Sequence, residues 1–269
     1  MPKSTDVPHE LRALNKVFST NDYKWDYADS FRDWVDFLVE AFMPVRQTDR
    51  RPSECERLKQ KHGSLDWFTD MTREWLLVQQ QMIVGDGPGD WYDALGTFYE
   101  VIAPNSKKGV LGQFFTPPEV CDMMTIMTGF TPDLKGKGFS IQDPCSGSGR
   151  MLLAAHTSAP GNYQYAADLD RICAKMSAVN MCIHGCVGQA VCMNSLTPDD
   201  WFFGYNINPR LNRTGCPSIE PITKEQCRAW RLWQAEKAAW EEKKRVDPKA
   251  PAPVPPAAKS VQMGQLSLF

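Results

Sequence analysis

Two acids flank a glycine-rich turn. Asp143 ends the run Ser140-Ile141-Gln142, Asp168 follows Tyr165-Ala166-Ala167, and between them lies Pro144-Cys145-Ser146-Gly147-Ser148-Gly149-Arg150. Glycine at 147 and 149 allows positive φ and leaves no Cβ in the way, so a ligand can sit against bare N–H groups at a helix N-terminus. The spacing is not that of a GxGxxG dinucleotide fingerprint, and no lysine follows to build a phosphate loop. An acid at the strand end selects instead a ligand with a cationic end, such as an α-amino group or a sulfonium. Asp168 stands where an acid accepts both hydroxyls of a ribose, with Asp170 as the nearby alternative. A tight turn with a purely structural purpose is the competing reading of a lone Gly-x-Gly.

The elements that must position these residues follow from periodicity. From Gly138 the chain reads as strand to 143, helix 150–158, strand 163–168, helix 171–184, strand 189–193 and strand 202–207. Such alternation predicts an α/β fold of parallel βαβ units, Rossmann-like, with ligands at the C-terminal strand ends. Pro117 and Pro118 suit the first turn of a preceding helix that continues through Val120, Met123, Met124 and Met127.

Further upstream, residues 1–28 are polar and mixed and read as a loosely ordered lead. Ser30 with Asp33 reads as a capping start for a helix carrying Phe31, Trp34, Val35, Leu38, Val39 and Phe42 on one face. Residues 46–64 read as charged and irregular, after which Trp67, Phe68, Met71, Trp75, Val78 and Met82 repeat the helical spacing. Asp90 opens a third helix with Trp91, Leu95, Phe98, Tyr99 and Ile102. Residues 29–108 are thus expected to form a small helical domain, their aromatic stripes being core and not a base-stacking surface.

Taken together, Gly112-Gln113-Phe114-Phe115-Thr116-Pro117-Pro118-Glu119, the Asp143-to-Gly149 turn and Tyr165-to-Asp170 resemble the motifs of S-adenosylmethionine-dependent N6-adenine DNA methyltransferases. The nearest likeness is to the modification subunits of type I restriction systems, and it spans about residues 109–209. The resemblance implies a methyltransferase domain over 109–221, S-adenosylmethionine as cofactor, DNA as substrate and a specificity or completing subunit as partner. It also implies a bacterial, cytoplasmic, nucleoid-associated protein. By resemblance, Phe114 or Phe115 walls the cofactor pocket, and Thr116, followed by Pro117, hydrogen-bonds the cofactor carboxylate. Asp143, Pro144, Ser146, Gly147 and Gly149 form the cofactor turn. Asp168 takes the ribose and Leu169 packs beside the adenine. Asn194, in Met193-Asn194-Ser195-Leu196, replaces the family acid that contacts the adenine amine, and an amide accepts that bond more weakly.

The same resemblance places the catalytic element at Asn208-Pro209-Arg210-Leu211, where the family has Asn-Pro-Pro-Phe or Tyr. It makes the Asn208 oxygen and the Pro209 carbonyl the acceptors for the two N–H bonds of a flipped-out adenine. Arg210 and Leu211 depart from the pattern, leaving no second proline and no stacking ring; Tyr205 and Trp201 are the nearby rings. Two readings follow. One is an adenine-N6 methyltransferase working with a partner; the other is a catalytically silent binding protein of methyltransferase fold.

A net charge of −2 does not mark a nucleic-acid binder, so DNA contact calls for a local basic patch or a second subunit. Nine cysteines without a disulfide rhythm, no secretory h-region and no apolar run of bilayer length fit a reducing cytosol and no membrane. Cys182 and Cys186, with His184 between them, match no common zinc spacing and fall in an apolar segment, so no metal is expected. After Pro209, residues 212–221 read as irregular. A helix then starts near Thr223 with Gln226 as box partner and carries Trp230, Trp233 and Trp240 on one stripe, over 222–245. With no further strand in sight, that helix covers a bare sheet edge or another chain completes the sheet. Residues 246–264 form a proline- and alanine-rich spacer. The final Gln265-Leu266-Ser267-Leu268-Phe269 resembles the bacterial sliding-clamp binding peptide, in which leucine and phenylalanine fill an apolar pocket and glutamine hydrogen-bonds beside it.

Overall fold

The computed structural model describes residues 6–21, 26–44, 53–83, 91–102 and 115–246. Asp90, Gly112 to Phe114, most of the spacer and the clamp-like peptide Gln265 to Phe269 lie outside the described residues.

The N-terminal part folds into α1 (Arg12–Phe18), α2 (Tyr27–Ala41), α3 (Glu54–His62), α4 (Asp66–Ile83) and α5 (Ala94–Ile102). Two of these lie where irregular chain was expected. In α1, Leu14 and Phe18 are fully buried, and the Phe18 ring meets Tyr27, Trp67 and Phe98 at 5.9, 5.7 and 5.2 Å. Leu11, Leu14 and Phe18, three apolar residues at helical spacing, suffice to bind this otherwise polar stretch to the core. In α3, a capping box between Ser53 and Glu56 starts the helix, and left-handed Gly63 at φ 82° ends it. The cap expected at Ser30 is not one: α2 begins three residues earlier at Tyr27, and Ser30 accepts from Asn21 while buried within the helix. Asp33 instead meets Arg57, Lys61 and His62 of α3.

The second part is a sheet of β1 (Ser140–Asp143), β2 (Tyr163–Asp168), β3 (Val187–Met193), β4 (Trp201–Ile207) and β5 (Ile219–Ile222), paired in that order. It is accompanied by α6 (Pro118–Met127), α7 (Arg150–Ser158), α8 (Arg171–Ile183), the short α9 (Leu211–Thr214) and α10 (Arg228–Val246). Strands β1 to β3 are parallel, as the alternation predicts, with α7 and α8 as crossovers. β4 is antiparallel to β3, contrary to the expected parallel run. The reason is loop length. Residues 194–200 form a tight turn, held by the Asn194 side chain accepting from Leu196 and Thr197, whereas a parallel return needs a dozen residues or more. β5 was not legible as a strand because it is short and holds Pro221; as an outer strand it tolerates the missing donor.

One face of the sheet, with Ile141, Ala166, Ala190 and Ile207, packs under the helices in a cluster that runs without a break into α1, α2, α4 and α5. The N-terminal helices therefore share the core of the sheet and do not enclose one of their own. Asp36 of α2 and Lys175 of α8 form an ion pair across this junction. The other face, with Ala167, Val191, Met193 and Ile222, is covered by Cys227, Ala229 and Trp230 at the start of α10. This corrects the expectation that the tryptophan helix caps an edge. The Thr223–Gln226 box exists, but it closes a 3-10 turn just before α10. Among the described residues, no helix is long and apolar enough to cross a membrane.

Candidate functional site

The C-terminal ends of β1, β2 and β3 bring Asp143, Asp168 and Asn194 to one end of the sheet, with the glycine turn between them. The turn is tied inward. Cys145 N–H donates to Asp143 Oδ1 at 3.1 Å, and Gly147 N–H donates to Asp168 Oδ2 at 2.9 Å. Ser146 N–H donates to Ala167 O at 3.0 Å and Gly149 N–H to Ser146 O at 2.7 Å. The peptide at 145, 146, 147 and 149 is thus engaged by the protein itself and is not bare, as the spacing alone suggests. The left-handed φ of Gly147 (55°) and Gly149 (95°) forms this turn. The close neighbour at Gly147 is the ring of Phe115, whose Cδ1 would stand 2.9 Å from an added Cβ.

Asp143 is 3 % exposed, and its carboxyl is pushed up to about 7. Burial is the main cause, the Cys145 N–H opposes it and the neighbouring Asp168 adds to it. Asp168 is also raised, first by burial, against N–H bonds from Asp170 and Gly147. Desolvated acids held side by side favour a cation between or beside them. Leu169 next to Asp168 leaves 59 % of its surface exposed, an apolar wall with no cover of its own. Asn194 lies at the same end, but its side-chain oxygen accepts from Leu196 at 3.0 Å and Thr197 at 3.4 Å, so the adenine contact expected of it finds that acceptor already engaged. Its neighbour Ser195 donates to Pro144 O at 2.7 Å and ties the β3–β4 loop to the turn.

A buried ion pair beneath the turn escaped sequence reasoning. Arg150, 5 % exposed at the first position of α7, donates from Nε to Asp93 Oδ2 at 2.7 Å and from Nη1 to Thr116 O at 3.2 Å. Its Nη2 donates to Glu100 Oε2 at 2.9 Å and Thr97 Oγ1 at 3.2 Å. Asp93, just before α5, also accepts from Ser148 Oγ, Gly96 N–H and Asn180 Nδ2 at 2.5, 2.7 and 2.7 Å. The signal was present in the sequence as a lone arginine opening the apolar Met151-Leu152-Leu153-Ala154, a cation with no reason to be there unless paired. Phe115 is half-buried, stacked on Tyr99 with ring centroids 5.9 Å apart and lying beneath the Arg150 guanidinium at 5.4 Å. Thr116 lies beside it, and Pro117 precedes α6 on the surface.

The two residues expected to be catalytic are elsewhere. Because β4 runs back against β3, Ile207 pairs with Gly188 at the start of β3, and Asn208 follows at the opposite end of the sheet from both acids. Asn208 is 1 % exposed at φ 53°. Its Nδ2 donates to Cys182 O at 2.9 Å and Cys186 O at 2.8 Å, and its Oδ1 accepts from Ser218 N–H at 2.9 Å. It joins the end of α8, the start of β3 and the entry to β5, a structural bracket whose Oδ1, the expected acceptor, is already taken by Ser218 N–H and by the Cys182 thiol at 3.6 Å. Pro209 is exposed at that same far end. Of the candidate rings, Tyr205 is buried against Phe203, and Trp201 packs under α10.

The family described as N-6 DNA Methylase matches residues 90–204, from just before α5 into β4. No curated protein matches the chain. Among solved structures, similarity is found to the type I restriction-modification system methyltransferase subunit from Streptococcus thermophilus. It is 22 % identical, with 66 % of this chain and 36 % of that chain covered and a TM-score of 0.30. The chain therefore spans little more than a third of that subunit's length. The match with the N-6 DNA methylases takes in the turn and both acids, supports a methyltransferase-like reading of that segment, and stops short of Asn208.

Proposed function

We propose that the chain binds S-adenosylmethionine between Asp143 and Asp168 as a protein of the N6-adenine DNA methyltransferase type, and that alone it does not orient a target amine. The observation that carries the second half is the burial of Asn208 at the far end of the sheet, with its side-chain oxygen, the group that would accept an amine N–H, bonded to Ser218 N–H. The first half rests on the fit of the residues present. Asp143, desolvated and, among the described residues, with no basic side chain lowering it, suits the cationic end of such a ligand. Each Asp168 oxygen accepts one N–H and keeps a lone pair for a ribose hydroxyl. Exposed Leu169 offers an apolar face to adenine. When bound, the cofactor supplies a methyl group activated on sulfonium; the residues here hold and orient its ends.

Calorimetric titration with S-adenosylmethionine and labelled-methyl transfer to unmethylated DNA test the two halves. Binding that is lost in Asp168→Ala, without methyl incorporation, is the expected result. No heat of binding sinks the cofactor half, and incorporation abolished by Asn208→Ala sinks the other.

One observation favours a second reading, an enzyme whose amine-orienting element and DNA specificity come from another chain. Among the described residues β1 is an outer strand, so a partner's strand added there would end beside Asp143. Methyl incorporation that appears only when a candidate partner subunit is added would select it. In either case the Gln265-Leu266-Ser267-Leu268-Phe269 peptide is proposed to engage the bacterial sliding clamp, placing the protein at replicating DNA. Deleting Leu268 and Phe269 should abolish clamp binding, and unchanged affinity would dispose of that role.

A further inference from the structure

A cation at the first position of a helix opposes the helix dipole, and burying it adds a desolvation cost that an ion pair seldom more than offsets. Arg150 carries both penalties. Its partners suggest what is gained. The guanidinium fork reaches three separate pieces of chain: Asp93, Thr97 and Glu100 at α5, the carbonyl of Thr116, and, through the shared Asp93 carboxylate, Ser148 of the turn. Its guanidinium carbon lies over the Phe115 ring, 5.4 Å from the centroid, and that ring in turn rests on Gly147.

We infer that Arg150 is the latch seating the Phe115–Thr116 segment on the glycine turn, and that Asp93 is the positioning residue that aims it. α5 thereby completes the ligand site, an inference that rests on the cofactor reading above. Lysine cannot replace the latch. It keeps the charge beside Asp93, but a single ammonium cannot reach Thr116 O and Glu100 together in the geometry of the planar fork. Were α5 merely packed against α7, that conservative change would leave the 115–117 segment undisturbed.

The test uses the full chain without ligand. Hydrogen exchange read by mass spectrometry over 115–122 and 147–152 is compared in wild type, Arg150→Lys and Glu100→Gln, with α4 as the internal reference. Losing a charge-assisted hydrogen bond corresponds to roughly a ten- to hundredfold rise in exchange, so Arg150→Lys should show that rise over 115–122 while α4 stays as in wild type. Glu100→Gln, altered at a partly exposed carboxylate, keeps the Asp93 pair and should show a smaller rise in the same peptide. Wild-type exchange over 115–122 in folded Arg150→Lys overturns the latch; should that variant fail to fold, wild-type exchange in Glu100→Gln overturns it instead. Titration adds a second readout: Arg150→Lys should weaken S-adenosylmethionine roughly tenfold and leave adenosine unchanged, because the loss falls on the methionine end. Wild type that binds neither compound refutes the cofactor reading, while the exchange result still decides the latch.

Discussion

At Asp143 burial outweighs the single N–H from Cys145, and the consequence is a site that responds to pH. The carboxyl is pushed up to about 7 from an ordinary 3.8, so the folded state holds its proton more tightly than the unfolded chain does. The sign follows: the stability due to this group is greatest below about pH 4 and falls as pH rises through about 7. Asp143→Asn should flatten that slope, as urea unfolding at pH 5 and pH 8 would reveal. A cationic ligand reverses the preference, because it pairs with the ionised form. Affinity for S-adenosylmethionine should climb about tenfold between pH 6 and pH 8. Equal affinity at the two values would remove Asp143 as the partner of the cation. Both acids were legible in the sequence because each closes a short strand-like stretch, Ser140-Ile141-Gln142 before Asp143 and Tyr165-Ala166-Ala167 before Asp168, the pattern of a strand ending at a ligand. The engagement of Asn194 with its own loop was not legible, because side-chain acceptors choose between ligand and backbone only once the turn is formed.

The elements explain why Asn208 misled. Asn-Pro after an apolar run reads the same whichever way the strand runs, and only the pairing partner of β4 decides at which end of the sheet it emerges. The seven-position stretch 194–200 was the available clue, being too short for a parallel crossover. As a bracket between α8, β3 and β5, Asn208 is a stability residue. Asn208→Ala removes two donated bonds and puts a Cβ-bearing residue without a local side-chain hydrogen bond at φ 53°. A loss of about 2–4 kcal/mol in chemical denaturation is expected, with cofactor affinity unchanged. Asn208→Gly should be milder, since glycine accepts the left-handed backbone. A drop in cofactor affinity without a drop in stability would return Asn208 to the ligand site.

For the whole molecule, the continuous core makes the helices and the sheet one cooperative body. Phe18→Ala empties a fully buried position at which three rings converge, and about 3–5 kcal/mol should be lost from the entire fold. Calorimetry should record one transition, shifted as a unit; two would establish a separate helical domain. Periodicity revealed which faces of α2, α4 and α5 are apolar. It could not reveal that part of the covering surface is α8, nor that Leu14 and Phe18 of a polar stretch close the remaining gap.

The reversal of chain direction after β3 also leaves two thiols exposed at opposite poles. Cys145 is in the turn beside Asp143, and Cys216 follows Asn208 in the β4–β5 connection. Alkylation with a neutral reagent should therefore report on occupancy without any engineered label. A bound ligand ought to slow modification at the first sulfur, while the second, at the other pole, serves as a built-in standard for reagent and time.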